Sequence, residues 1–380
     1  MYKVLVFGMT ENPGGVESFI MNNYRKINKN SINFDFLCNT TNKVAFEDEL
    51  KESGSKVFHI FPRRKNPVRF YRELNKFFKE NANNYDCAWI NLNTLVNIEY
   101  LKIAKKYGIK RRIVHSHNSR NMDTGLKGKV TYWFHSKHKK KIDNYATDYW
   151  ACSSMAANWF YPQDILNKVQ IIKNGIDVER VSFNENKRKE IRKKNNITDD
   201  TLVIGNVGRL HFQKNQTFAL EILNELVNHT NNKKTKLILV GQGPDEQMLK
   251  EKSKELNLTE NVIFTGVQND IQGWLSAFDI FIFPSLFEGL GIAGLEAEAN
   301  GMPVFAANNA TPEELKINNN FHFLNLNDGI KKWARDIKNS PLQRENRKTI
   351  EENFKTSGYN IDESVKKVYS LFLEGKKNEG

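Results

Sequence analysis

Short apolar runs alternate with longer amphipathic ones along almost the whole chain, and they do so in two successive series. In the first half the short runs read YKVLVFGM, INFDFLC, KVFHIF, DCAWINL, RRIVHSH and DYWACS. Helical stretches such as VESFIMNNYRKI, VRFYRELNKFFKEN and NIEYLKIAKKYG separate them. Near residue 185 the rhythm breaks at NENKRKEIRKKNNI, which has no broad apolar face. It restarts with LVIGNVG, KLILVG, NVIFTG, IFIFPS and PVFAAN, again with helical stretches between. Strands that alternate with helices pair in parallel through right-handed crossovers. Two series of similar size therefore predict an α/β protein with two doubly wound, Rossmann-like domains, at 1–185 and 186–360. The remainder, 361–380, is expected to form a C-terminal helix that packs back on the first domain. A chain of 380 residues suits two domains of ordinary size.

Several function classes drop out early. No apolar run approaches the roughly 18 residues of a membrane span; IFIFPSLF is short and is broken by Pro284. MYKVLVFGMTENPGG reads as a first strand and a glycine loop rather than a secretory signal. Cys38, Cys87 and Cys152 are far apart and odd in number, which fits a reducing cytoplasm better than a disulfide framework or a zinc site. No metal site is expected. The net charge is +13, and residues 1–185 hold 30 Lys+Arg against 18 Asp+Glu, so nearly all the excess lies in the first domain. That asymmetry points to an anionic partner: a phosphorylated substrate or a membrane surface. Nucleic acid is not expected, because no zinc-finger, RNP or KH pattern appears and aromatics do not interleave with the basic clusters. The stretch KGKVTYWFHSKHKKKIDN, with Lys137 and Lys139–Lys141, suits an anionic cytoplasmic membrane and a peripheral location.

Ligands of open α/β sheets bind outside the carboxyl ends of the strands, so polar residues just after strands are the candidates for chemistry. After the first strand, Gly14 and Gly15 open a helix whose N-terminal N–H groups can meet an anion. His115 and His117 end another strand on one face, where an imidazole can bond a substrate hydroxyl. In the second domain, Gly208, Arg209 and Lys214 follow a strand and precede a helix, a combination that can clamp a diphosphate. Gly243 and Val267 follow the next two strands. The stretch FEGLGIAGLEA then places Glu288 in a loop with Gly289 and Glu296 on the helix that starts near Ile292. An anion would rest on the N–H groups of Leu290, Gly291 and Ile292. Carboxylates repel phosphate but accept hydrogen bonds from sugar hydroxyls, so the set suits two sugars flanking a diphosphate. A carboxylate in the first turns of a helix is also favourable in its own right.

KNGID, GNVGRLHFQKN, VGQGP, FPSLFEGLGIAGLEA and NGMPVFA, taken together and in order, resemble the motifs of the retaining GT-B glycosyltransferases of family 4. HSHN and ACS look like those of bacterial exopolysaccharide, capsule and O-antigen enzymes. The resemblance implies two Rossmann-like domains facing across a cleft, the first for the acceptor and the second for a nucleotide-sugar donor, expected to be UDP-linked. It implies that Arg209 and Lys214 hold the diphosphate, that Glu296 takes the ribose hydroxyls and that Glu288 contacts the donor sugar. It also implies that Gly15 borders the phosphates and that His117, preferred to His115, contacts the donor sugar. The acceptor would be a saccharide or a lipid-linked saccharide, and no cofactor or metal would be needed. Two departures stand out: EAEANGMPV where the family reads like EAMACGxPV, and LGIA where it reads FGLP. Glu298 and Asn300 are therefore expected to alter the packing of that helix. A sugar-nucleotide epimerase, or a catalytically silent GT-B partner protein, is the rival reading.

Overall fold

The computed structural model describes residues 1–230 and 234–377, with the side chains of 375–377 left aside. The chain forms two compact units, one of Met1–Gly175 with the segment from Ile361 onward, the other of Ile176–Asn360.

The first unit holds a seven-stranded parallel sheet made of β1 (Tyr2–Phe7), β2 (Ile32–Cys38), β3 (Val57–His59), β4 (Cys87–Leu92), β5 (Arg111–Ser116), β6 (Asp148–Ala151) and β7 (Gln170–Ile171). Their order is β3-β2-β1-β4-β5-β6-β7. The chain winds outward from β1 in one direction and from β4 in the other, so the topological switch lies between those two strands. Strands buried on both faces need apolar side chains throughout, which is why WIN and VLVF carry so few polar residues. Trp89, Phe34 and Trp150 form the centre of the core on one face. The helix Ile361–Lys377 covers that face: Phe372 meets Tyr2, Phe34, Trp89 and Trp150 with ring centroids 5.4–6.5 Å apart. Residues 378–380 of the expected terminal helix lie outside the described residues.

The second unit repeats the plan with six parallel strands: β8 (Leu202–Val207), β9 (Thr235–Val240), β10 (Val262–Gly266), β11 (Ile280–Phe283), β12 (Val304–Ala307) and β13 (Phe321–Leu324). Their order is β10-β9-β8-β11-β12-β13, which puts its switch between β8 and β11.

The unit begins at Ile176 rather than at the expected 186. Two short helices explain the difference. Val178–Val181 packs against the helix Ile292–Asn300, and Asn300 Nδ2 donates to the Val181 carbonyl at 2.7 Å. The charged helix Glu185–Lys194 has almost no apolar side to bury and docks instead through its arginines. Arg188 and Arg192 pair with Asp279 at 2.6 and 3.2 Å and donate to the carbonyls that end the helix Ile271–Ala277. Cations at a helix C-terminus satisfy carbonyls that have no partner inside the helix.

Candidate active site

The switch of the second sheet is closed by side chains before any loop begins. Asn206, buried on β8, donates from Nδ2 to the Ile282 carbonyl of β11 at 2.9 Å. Beyond the strand ends, residues 208–215 and 284–288 are stitched together. Leu286 N–H donates to the Gln213 carbonyl at 2.7 Å, Gln213 Nε2 to the Phe287 carbonyl at 2.9 Å, and Asn215 Nδ2 to the Pro284 carbonyl at 3.0 Å. Asn215 adopts a left-handed conformation (φ 54°), which Asn tolerates better than most residues. Gly243 has its own steric reason, since a Cβ there would lie 2.1 Å from the Leu210 carbonyl oxygen.

This scaffold brings Lys214 and Glu288 together. Nζ of Lys214 lies 2.7 Å from Oε1 of Glu288 and 5.0 Å from the centre of the Phe283 ring. The pair is nearly removed from water, with side-chain exposures of 16% and 5%. Sequence reasoning assigns these residues to different parts of a ligand and does not foresee that they bind each other. Arg209, by contrast, is exposed and its side chain forms no hydrogen bond or ion pair among the described residues. Arg209 therefore offers an unpaired guanidinium two residues after β8, in the same loop as Lys214.

The helix Ile292–Asn300 starts after Gly291, whose φ of 100° and close approach to the Phe283 ring leave no room for a side chain. No side chain caps this end. The N–H groups of Leu290, Gly291 and Ile292 donate to no protein acceptor among the described residues. An uncapped helix start of this kind attracts an anion. One turn farther on, Glu296 is half-buried and accepts no hydrogen bond among the described residues. Burial pushes its carboxyl up to about 7, against the pull of the Arg180 charge. Gly289 is buried beside Glu288, and Gly208 follows β8 with a φ of 154°. Val267 is exposed just past β10.

In the first unit the corresponding switch carries His117. Asn91, at the end of β4, donates from Nδ2 to the Phe7 carbonyl at 2.8 Å, which fixes its amide. Its Oδ1 therefore accepts from Nε2–H of His117 at 2.8 Å. The remaining nitrogen, Nδ1, is an acceptor that is buried without a partner. Burial holds this imidazole neutral, with its pKa lowered to about 3. His115 points into the core instead, fully buried and ringed by Phe19, Trp89 and Trp150. Sequence reasoning missed Asn91, whose signal was a lone amide in the apolar run CAWINL. Gly14 and Gly15 are exposed at the start of the helix Gly15–Lys26, and the Glu17 carboxylate already accepts the Gly14 N–H at 3.0 Å.

The two halves of the chain match two domain families in sequence. Residues 13–180 match "Glycosyltransferase Family 4", and residues 187–357 match "Glycosyl transferases group 1". The chain belongs to the family 4 glycosyltransferases. It is similar along 97% of its length to EpsF of Bacillus subtilis (strain 168), a glycosyltransferase by name, with 29% identity over 96% of that protein. A "UDP-Gal:alpha-D-GlcNAc-diphosphoundecaprenol alpha-1,3-galactosyltransferase" of Escherichia coli is 28% identical over 54% of either chain. Among solved structures, Anabaena Alr3699/HepE in complex with UDP and glucose superposes with a TM-score of 0.77 at 16% identity, covering 98% of this chain and 100% of that one. WaaG superposes with a TM-score of 0.68 at 16% identity, covering 97% and 99%. Both likenesses confirm the GT-B fold.

Against the family pattern, this glycosyltransferase uses its two unusual residues structurally. Glu298 is fully buried, and its Oε2 accepts the N–H groups of Ile317 and Asn318 at 2.9 and 2.7 Å, pinning the segment that leads to β13. Its other oxygen is buried without a partner, and burial pushes the carboxyl up to about 8. Asn300 Oδ1 accepts from Arg344, whose guanidinium also donates to the Phe278 carbonyl at 2.6 Å. Both therefore tie the C-terminal half of the helix to neighbouring segments and leave its uncapped start unchanged.

Proposed function

We propose that the protein is a retaining glycosyltransferase that uses a UDP-linked hexose in bacterial surface polysaccharide synthesis. The acceptor hydroxyl belongs to a saccharide or a lipid-linked saccharide, and the enzyme works at the inner face of the plasma membrane. The observation that carries this reading is the Lys214–Glu288 pair, which joins the loops after β8 and β11 and lies just before the uncapped helix start at 290–292. The name of CapM of Staphylococcus aureus, a capsular polysaccharide biosynthesis glycosyltransferase, supports the pathway, and the E. coli UDP-Gal galactosyltransferase and the UDP bound to HepE support the nucleotide.

In this reading Arg209, Lys214 and the N–H groups of 290–292 receive the diphosphate. Glu296 accepts the ribose hydroxyls, and the free oxygen of Glu288 takes a hydroxyl of the donor sugar. Because Glu288 already holds Lys214 in place, the ammonium needs little reorganisation as negative charge grows on the leaving diphosphate. The bond from the anomeric carbon to the diphosphate breaks, and a bond to the acceptor oxygen forms on the same face. The acceptor proton passes to the leaving phosphate oxygen. His117, neutral and with Nδ1 as an acceptor, holds a hydroxyl of the donor sugar. Arg209, the oriented Lys214 ammonium and the helix start donate hydrogen bonds to the leaving diphosphate, and the reading calls on no metal ion. The test is a panel of nucleotide sugars measured for thermal stabilisation and slow hydrolysis. UDP sugars should stabilise the protein and release UDP, with undiminished rates in excess chelator. No response to any nucleoside diphosphate would overturn the proposal.

A further inference from the structure

The helix Gly125–Lys139 is turned the wrong way round for a protein in water. Its inward residues are polar or small: Gly128 and His135 are buried, while Thr131 and His138 are half-buried. They dock by hydrogen bonds. His135 Nδ1 accepts the Leu95 N–H at 3.1 Å and its Nε2–H donates to the Trp159 carbonyl at 3.0 Å. His138 Nδ1 donates to the Leu95 carbonyl at 2.6 Å. The outward face carries Leu126, Val130 and Trp133, with exposures of 82%, 55% and 56%. Their spacing of four and three residues puts them in one stripe, which Lys137 continues. Nothing among the described residues covers that stripe.

The flanks are basic. Lys129, Lys137, Lys140 and Lys141 are exposed, and Lys137 stands 5.0 Å over the Trp133 ring. Lys139 is excluded from this set, because its ammonium turns back to the Asn158 carbonyl at 2.6 Å. An apolar stripe that ends on Trp133, with exposed lysines beside and beyond it, matches a surface that is apolar below and anionic above. A protein partner would need one defined complementary face, whereas a lipid surface needs only this amphipathic order.

We infer that the outward face of Gly125–Lys139 docks the protein on an anionic lipid surface, with Leu126, Val130 and Trp133 entering the headgroup boundary and the lysines meeting the phosphates. The inference rests on the reading of a lipid-linked acceptor and names the element that would bring the enzyme to it. The experiment is sedimentation of the full-length protein with vesicles of phosphatidylglycerol and phosphatidylcholine, or of phosphatidylcholine alone. The parent should bind the anionic vesicles only, and its Trp fluorescence should shift to the blue on binding, a shift lost in Trp133→Phe. A combined Leu126→Asn, Val130→Asn, Trp133→Asn variant should bind about tenfold more weakly or worse. A combined Lys129→Glu, Lys137→Glu, Lys140→Glu variant should lose about a hundredfold. Equal binding to neutral vesicles, no binding at all, or an unaffected Asn variant would overturn the inference. So would a concentration-dependent dimer that the Asn variant abolishes. UDP stabilisation measured on the same preparations separates the two readings: a parent that answers UDP but ignores vesicles overturns the docking helix alone.

Discussion

Replacing Glu288 by Gln should weaken the free protein and enlarge its response to UDP. The substitution keeps the shape of the side chain and removes the charge opposite Lys214, 2.7 Å away in a site where the two side chains are only 5% and 16% exposed. Removing one partner of a buried pair costs about 3–5 kcal/mol, because the other charge is left without compensation. Lys214 keeps some water and the face of Phe283, which lowers the expected loss to roughly 2–3 kcal/mol. In a unit of this size that corresponds to a fall of about 5–10 °C in Tm. UDP should then restore much of the loss, because its diphosphate supplies the missing negative charge. Calorimetry with and without UDP reads both effects: a lower Tm for Glu288→Gln alone, and a larger UDP-induced rise than in the parent. A variant as stable as the parent, with the same rise, would show that the pair neither holds Lys214 nor faces the diphosphate.

Burial pushes the Glu296 carboxyl up to about 7, and hydroxyl donors favour its ionised form. UDP affinity should therefore increase as pH rises from 6 to about 8 and then level off, and titration calorimetry of Glu296→Gln should show weaker binding with that dependence removed. Glu298 has a folded-state pKa raised to about 8, so the native protein holds a proton that the unfolded chain gives up at lower pH. Its contribution is favourable below the unfolded value and is lost as pH rises toward 8; Glu298→Gln, which mimics the protonated form, should remove roughly 1–3 kcal/mol of that decline in urea titrations. Asp279→Ala leaves Arg188 and Arg192 without their shared counter-charge and should cost about 3 kcal/mol, read as a lower urea midpoint.

Short apolar runs between helical stretches made most of both sheets legible, because a strand covered on both faces can carry little else. The two strands that escaped are short edges: β7 has two residues, and FHFL of β13 is too brief to show a period. The helix Gly125–Lys139 escaped for a different reason. Periodicity finds a helix by its apolar inner face, and this one docks inward through histidines while its apolar face looks out. The charged helix Glu185–Lys194 was visible as a helix but not as part of the second unit, since arginines paired with an aspartate 91 and 87 residues later in sequence hold it there. At the site, the residue types were readable and their mutual contacts were not. The Lys214–Glu288 pair spans 74 positions, and only the β8–β11 switch brings its members together. Asn91, which orients His117, was hidden for the same reason.

Diphosphate binding at the switch between β8 and β11 is what the proposed transfer depends on most. The most direct measurement is titration of UDP into the parent, Arg209→Ala and Lys214→Ala. The parent should show one site, and each variant an affinity lower by about tenfold or more, as expected for loss of a charge-assisted contact. Equal affinity in all three proteins, or no heat from UDP in the parent, would contradict it.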